Sequence, residues 1–192
     1  LTLSGFNGDG LGSQLNAVVQ AEGNGGTVTV ASPIIELQNG AVISTNTKGK
    51  GKGGDLFVRA SERMSLSGSN NVEGGEASLL QAGAEAQGAS GSLTVDAGVI
   101  ELRGGASMRT ITEGEGAAGD LSVMAHERLL LSGLDRTGSG SHLSASSSTQ
   151  QAGGNIYVQA SSVSLTDMAR ISRQNTGEGN AGNIHLVNAN EL

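Results

Sequence analysis

Short stretches that alternate apolar and variable residues recur along the whole chain, and each one opens with glycine. Alternation with a period of two is typical of a β-strand with one buried face. Successive copies begin 28, 37, 28, 35 and 28 residues apart, which indicates a repeat architecture. The copies start at Gly26, Gly54, Gly91, Gly119, Gly154 and Gly182, which we expect at the corners of the repeats.

Each repeat contains two further segments that are typical of strands. The second begins about ten residues after the glycine, as at 34–37, and a turn such as Asn39-Gly40 follows it. Glycine and asparagine tolerate the positive φ that such turns need. A third short strand and a glycine-rich corner complete the repeat. Three short strands per repeat predict one coil of a parallel β-helix, in which each coil adds a strand to three sheets about 4.8 Å apart. We therefore predict one all-β domain over 1–192, a three-sheet parallel β-helix (solenoid) of about six coils, alternately short and long.

The alternation also predicts which side chains face inward. Equivalent inward positions carry like residues in successive coils, so that aliphatic side chains stack as ladders. A βαβ array is disfavoured, because glycine interrupts every segment that could be helical. An antiparallel sandwich fits the number of strands but not the equivalence of the coils. The first ladder is Val28, Leu56, Leu93, Leu121, Ile156 and Ile184, and the second is Val30, Val58, Val95, Val123, Val158 and Leu186.

Every second coil is longer than its neighbours, and the surplus is predicted to enter between the second and third strands. The insertions are 6–13, 69–78 and 134–141. Because they fall at one corner of alternate coils, they should form a row along one edge of the solenoid. Such a row either carries variable contacts or simply covers the corner of the sheet.

These residues carry a family resemblance. The segments NGAVISTNTKGKGKGGDLFVRASERMSLSG (39–68) and GNAGNIHL (179–186), with the alternating coil lengths, resemble the repeat region of filamentous-haemagglutinin-like exoproteins of two-partner secretion systems. The similarity is greatest to very large cyanobacterial members, and it covers essentially the whole chain. It implies a right-handed parallel β-helical fibre, secreted across the outer membrane and acting as an adhesin or surface component. The family's secretion domain, with its haemagglutination signature, has no counterpart in this sequence.

Composition narrows the picture further. Aromatic residues make up 2% of the chain, so the core must consist of small and medium aliphatic side chains. The absence of cysteine excludes disulfides and thiolate ligands, and a net charge of −7 disfavours a nucleic-acid partner. No apolar run approaches the length of a membrane-spanning helix. The basic run 48–52 is interpreted as a solvated turn, with an anion-binding loop as the alternative.

Two outward carboxylates are the candidates for catalysis. Glu36 and Glu101 occupy equivalent positions on the second sheet, with Ser65 between them. Two inter-strand steps separate them by about 10 Å, which could suit an inverting glycosidase. No aromatic platform or histidine accompanies them. Arg59 and Asp96 lie side by side on adjacent coils and are predicted to form a surface ion pair of less than about 1 kcal/mol.

Other candidate chemistry is weak. His126, His142 and His185 fall at three different coil positions, so that a shared metal ion and any cofactor are not expected. The segment 8–11, Gly-Asp-Gly-Leu, matches part of one calcium-binding repeat, but that site needs successive copies. An ice-binding threonine array is disfavoured because its members do not recur coil after coil: Thr45, Thr47 and Thr110.

We therefore expect a secreted, non-enzymatic structural or adhesive fibre segment, found extracellularly or at the cell surface. The alternative is a polysaccharide-degrading β-helix enzyme that uses the outward carboxylates. Leu1 begins in a second-strand position and 188–192 step towards the next one, so the stack should continue in a longer chain or associate end to end. A cell-surface or polysaccharide ligand is the expected further partner.

Overall fold

A computed structural model describes residues 1–7, 11–68, 77–85, 87–148 and 150–188. All regular secondary structure in these residues is β-strand, and none is helix. The alternating apolar residues form the strands, and glycine or polar residues separate them. The strands are β1 (Thr2–Leu3), β2 (Gln14–Val19), β3 (Val28–Gln38), β4 (Val42–Thr47), β5 (Leu56–Ser67), β6 (Leu79–Ala84), β7 (Leu93–Arg103), β8 (Ser107–Thr112), β9 (Leu121–Ser132), β10 (His142–Ser147), β11 (Ile156–Ala160), β12 (Val163–Leu165), β13 (Arg170–Asn175) and β14 (Ile184–Asn188).

The strands build two parallel sheets. The eight-stranded sheet has the order β1-β3-β5-β7-β9-β11-β14, with β12 paired to β9, and the six-stranded sheet has the order β2-β4-β6-β8-β10-β13. All pairings between these strands are parallel. The chain passes from one sheet to the other and back, and it adds a strand to each on every passage. This confirms an all-β, β-helix-like architecture of parallel strands.

The first two predicted strands of a repeat are joined into one in β3, β5, β7 and β9. The ladder shifts register at each join. One residue lies there in the short coils, Pro33 or Gly98, and two lie there in the long coils, at 61–62 and 126–127. The extra residue forms a bulge while pairing continues on both sides, so hydrogen bonding defines two sheets where three were expected. The prediction that the surplus lies wholly between the second and third strands is therefore wrong by one residue per long coil.

The core lies between the two sheets and is aliphatic. Among the described residues, its buried apolar side chains are Val, Ile, Leu, Met and Ala, with no aromatic ring. Like residues stack at inter-strand spacing, which fills the interior without large side chains. Its fully buried members include Ile43, Leu80 and Met108 of the six-stranded sheet and Leu56, Leu93 and Leu121 of the other sheet.

The turns after the second strand position need left-handed backbone. Gly40 has φ 79° and Gly133 has φ 73°, a region that favours glycine. Asp167 and Met168 reach φ 54° and 59° without being glycine. Asp167 follows the second strand position as Asn39-Gly40 does, and aspartate tolerates this backbone region. Nothing in the sequence pattern singles out Met168.

Candidate functional site

The corner glycines are required by close packing between coils. A β-carbon on Gly54, Gly91 or Gly119 would collide with the carbonyl oxygen of the corner glycine one coil earlier, and none of the three has a positive φ. Gly154 lies in the same way over Gly119, whereas a β-carbon on Gly26 would meet nothing within 4 Å. A β-carbon on Gly182 would lie 2.6 Å from Asn155 Oδ1. These four glycines, Gly54, Gly91, Gly119 and Gly154, form a corner column in which the backbone of one coil packs directly against the backbone of the coil before it.

The two predicted ladders lie in register through the eight-stranded sheet. Their central members are fully or nearly fully buried, whereas Val28 is half-buried. The last two members, Ile184 and Leu186, are 46% and 48% exposed because no described strand pairs with the outer edge of β14. The final coil thus presents inward-type apolar residues at the end of the stack.

Each candidate catalytic carboxylate is held by arginine. In the sheet register Glu36 lies opposite Ser65, and Ser65 lies opposite Glu101 on the next strand. Arg63 Nη2 donates to Glu36 Oε1 at 2.6 Å, and Arg128 Nη2 donates to Glu101 Oε1 at 2.6 Å. The same ion pair thus recurs two coils later. One oxygen of each carboxylate is thus occupied by an arginine rather than open to a substrate.

Asp96 makes a closer contact than the predicted one. Arg59 Nε lies 4.0 Å from Asp96 Oδ2, at the outer limit of an ion pair. His126 Nε2 lies 2.7 Å from Asp96 Oδ1, and the Ser161 hydroxyl donates to the His126 carbonyl oxygen. His126 thus has a specific carboxylate partner that the sequence analysis does not predict. The sequence did not reveal this contact because His126 belongs to the bulge, whose side-chain direction the strand alternation does not define.

The other two histidines have separate surroundings. His185 stacks on Tyr157 with ring centroids 5.2 Å apart and an interplanar angle of 7°. The ring of His142 is partly buried, and its Nδ1 lies 3.2 Å from the Gly140 carbonyl oxygen. In the part of the chain that the structure describes, no group of three His, Asp or Glu side chains could hold a metal ion.

The structure also tests the basic run, the threonines and the partial calcium motif of the sequence. The lysines of 48–52 extend from an exposed turn towards Glu85, Glu22 and Asp55, at 3.4–3.7 Å. The threonines Thr45, Thr47 and Thr110 point into the core and are at most 1% exposed, so that an ice-binding face made of them is contradicted. Residues 8–10 of the partial calcium motif lie outside the described residues.

The insertions share one closure. Each follows a Ser-Gly pair and ends at a serine whose backbone N–H and hydroxyl donate back across the base of the loop. In the short coils alanine takes the place of this serine, and Ala41 and Ala106 are fully buried there. Most of the insertion 69–78 lies outside the described residues. The closing contacts are Ser13 N to Gly5 O, Ser78 N to Gly68 O and Ser141 N to Gly133 O for the backbone, and Ser13 Oγ to Ser4 O, Ser78 Oγ to Ser67 O and Ser141 Oγ to Ser132 O for the hydroxyls.

In two of these insertions, a polar side chain near the start of the loop accepts hydrogen bonds from backbone N–H groups further along it. Asp135 Oδ1 accepts hydrogen bonds from the backbone N–H groups of Thr137 and Ser139, both at 2.8 Å, and from the Thr137 hydroxyl at 2.7 Å. Asn7 Oδ1 accepts from the backbone N–H of Leu11 in the same way. Desolvation raises the pKa of Asp135, but these hydrogen bonds outweigh it, so that the pKa lies below the ordinary value. The loop at 134–140 therefore has a defined shape.

The outer face of the six-stranded sheet carries a site that the sequence analysis missed. Arg109 of β8, His142 of β10 and Arg170 of β13 border a groove of about 440 Å³ whose floor is formed largely by serine. The hydrophobic pattern fixed the inward columns of these strands and left the outward columns undescribed. The signal in the sequence is the serine-rich segment 144–148 between arginine-bearing strands.

The fold and surface together define a repeat protein with β-helix-like parallel strands. No helix in the described residues is long and apolar enough to cross a membrane. Comparison of the chain with protein-family models, with curated proteins and with solved structures found no match.

Proposed function

We propose that the chain is a segment of an extracellular β-helical fibre, with a structural or adhesive role and no catalytic one. In this proposal the stack is a right-handed solenoid of about six coils with three faces, two of which share one bent sheet. The observation that carries it is the register: equivalent residues meet in every coil, so the coils stack indefinitely in one direction. Such a geometry suits an elongated structural element rather than a ligand-binding pocket.

The surface repeats along the same axis. The ion pair Glu36–Arg63 recurs as Glu101–Arg128 two coils further on, which corresponds to about 10 Å. The loops 6–12 and 134–140 also have equivalent antiparallel bridges at their bases. A surface that presents the same groups at a constant spacing suits repeated weak contacts, because linked contacts reinforce one another. This supports an adhesive role for the proposed fibre.

The last strand of the six-stranded sheet contains a buried cation that needs a partner. Arg173 takes an inward position beside Ala145. Its three guanidinium nitrogens are buried and have no hydrogen-bond partner in the part of the chain that the structure describes. Desolvation lowers the pKa of Arg173, although Asp120 acts in the opposite direction. Because buried donors without acceptors are rare, we infer that a covering coil supplies the acceptor.

That covering coil is either a continuation of the helix in a longer chain or the first coil of a second copy. The exposed inward residues of β14 and the unpaired edges of both sheets suit a further β-coil in either case. The resemblance of 39–68 and 179–186 to filamentous-haemagglutinin-like exoproteins supports the same role and a two-partner secretion route. A cell-surface structure or polysaccharide is the ligand proposed for such a fibre.

Static light scattering over a range of concentrations, combined with electron micrographs, tests the structural role. The isolated chain should associate into unbranched fibres as the concentration rises, because its end faces expose strand edges and apolar side chains. A monodisperse 19.1 kDa monomer at every concentration, with no fibres in the micrographs, would contradict end-to-end association.

A further inference from the structure

The groove on the outer face of the six-stranded sheet is shaped by a change in side-chain size. In β6 and β8 one outward column carries the long polar residues Gln81 and Arg109, and Gln81 donates across the sheet to Asn46 at 3.0 Å. In β10 and β13 the equivalent outward positions hold Ser144 and Ser172. The short side chains leave a depression of about 440 Å³ floored by hydroxyls, a size typical of a site for a small ligand.

The charge at this groove differs from that of the rest of the surface. The chain has a net charge of −7, yet the residues that line the groove include arginine and histidine and no carboxylate. The groove is therefore a local positive site on an acidic protein, which favours an anionic ligand.

Two polar groups of the groove, Arg109 and His142, are positioned before any ligand arrives. Arg109 Nε donates to Gln81 Oε1 at 2.5 Å, which fixes the guanidinium at one side of the groove. His142 Nδ1 faces the Gly140 carbonyl oxygen, which can only accept, so the proton is on Nδ1 and Nε2 is left for other contacts. Such preorganisation lowers the entropic cost of binding.

The spacing of these groups suits an extended ligand. His142 lies opposite Arg170 in the register, and Ser144 lies opposite Arg109. The two arginine positions are thus two inter-strand steps apart and offset by two residues along the strands, a separation of about 12 Å, with hydroxyl groups between them. A single small anion would use one arginine, whereas a chain of acidic sugars would place carboxylates near both and its hydroxyls over the serines.

We propose that this groove binds a segment of a carboxylated polysaccharide, with its uronate groups held by Arg109 and Arg170 and its hydroxyls by the serine floor. The planar guanidinium forms paired hydrogen bonds with a carboxylate, which gives the site its preference for carboxylated sugars. The inference is independent of the proposed fibre role, because a monomeric chain would carry the same groove.

Titration calorimetry with trigalacturonic acid and with its methyl ester tests the proposal. The two probes share their hydroxyls and differ in charge, so the acid should bind and the ester should bind at least about tenfold more weakly. Arg170→Gln should weaken binding of the acid about tenfold or more, because charged hydrogen bonds are lost. Arg136→Gln makes the same change of charge on an exposed loop and should alter binding by less than about twofold at moderate salt.

A second readout follows the histidines by NMR. Desolvation, Arg170 and Arg109 lower the pKa of His142, while Asp135 and the Gly140 carbonyl oxygen act in the opposite direction. Bound uronate should raise the pKa of His142. The chemical shifts of the His185 ring, on the other sheet, should not respond to the ligand. Inorganic phosphate should compete only weakly, since it spans one arginine. Equal binding of acid and ester, an equal loss in Arg136→Gln, or no binding of the acid at millimolar concentration would overturn the proposal.

Discussion

Gly154 lies so close to Gly119 that a β-carbon on Gly154 would collide with the Gly119 carbonyl oxygen. Replacement of Gly154 by alanine should therefore force the two coils apart. We expect Gly154→Ala to lower the free energy of unfolding by about 1–3 kcal/mol, which corresponds to several degrees in Tm. Gly26→Ala is the matched control, because a β-carbon there meets nothing within 4 Å and φ is not positive. Thermal unfolding of dilute protein checks both, and an equal loss in Gly26→Ala would contradict the account of the corner column.

Ser141 closes the loop at 134–140 with a fully buried hydroxyl. The hydroxyl donates to the Ser132 carbonyl oxygen at 2.8 Å and accepts from the Gly105 N–H at 3.1 Å. Ser141→Ala should cost about 1–3 kcal/mol, because it leaves the buried Gly105 N–H without a partner. The Ser132 carbonyl oxygen loses one of its two donors and keeps the Gly104 N–H at 3.0 Å. Ser139→Ala removes an exposed hydroxyl from the same loop and should change the stability by less than about 0.5 kcal/mol. Similar denaturation midpoints for the two variants would show that the closure is not structural.

The partly buried imidazole of His142 predicts a pH dependence of stability. Its pKa in the folded chain is below the ordinary 6.5, mainly because of desolvation and the two neighbouring arginines. The unfolded chain therefore binds the proton more readily, so the contribution of His142 is full above pH 6.5 and is lost as the pH falls through the folded pKa. The loss of Tm between pH 7 and pH 5 should be smaller in His142→Gln than in the original chain. An unchanged slope in His142→Gln would refute the assignment.

The arginine-bound carboxylates predict an absence of glycosidase activity. Incubation with acidic and neutral polysaccharides should release no new reducing ends, because Glu36 and Glu101 are each held in an ion pair at 2.6 Å. Glu101→Gln should then leave this null result unchanged and cost less than about 1 kcal/mol in stability. Cleavage by the original chain that disappears in Glu36→Gln or Glu101→Gln would establish the enzymatic alternative and contradict the structural role.

The parallel β architecture could be predicted because the inward residues repeat. Leu56, Leu93 and Leu121 are aliphatic at equivalent positions, and a one-residue slip would move each of them to the solvent face. The merging of the first two strands could not be predicted in the same way. Whether a bend breaks a strand depends on the ladder bonds of its neighbours, and a β-carbon on Gly98 would collide with the Glu62 carbonyl oxygen in the preceding coil. That contact joins residues that no local pattern links.

The groove was missed for a related reason. Outward residues face no core, so no hydrophobic periodicity indicates which of them meet. Arg109, His142 and Arg170 are about 30 residues apart in the chain and become neighbours only through the register of β8, β10 and β13. The inward Arg173 was likewise unexpected, because arginine is rarely buried without a partner. Both features are defined by residues that are close in space but distant in the chain, so a local sequence pattern does not indicate them.

The most direct test of the proposed fibre compares two neighbouring residues of β14. Leu186 and Val187 are 48% and 47% exposed, but Leu186 continues an inward ladder and Val187 faces outward. Leu186→Lys would place a charge between stacked coils, whereas Val187→Lys would place one on the surface. In light scattering and micrographs, Leu186→Lys should abolish end-to-end association and Val187→Lys should retain it. Fibres of equal length from both variants would contradict stacking through the ends of the solenoid.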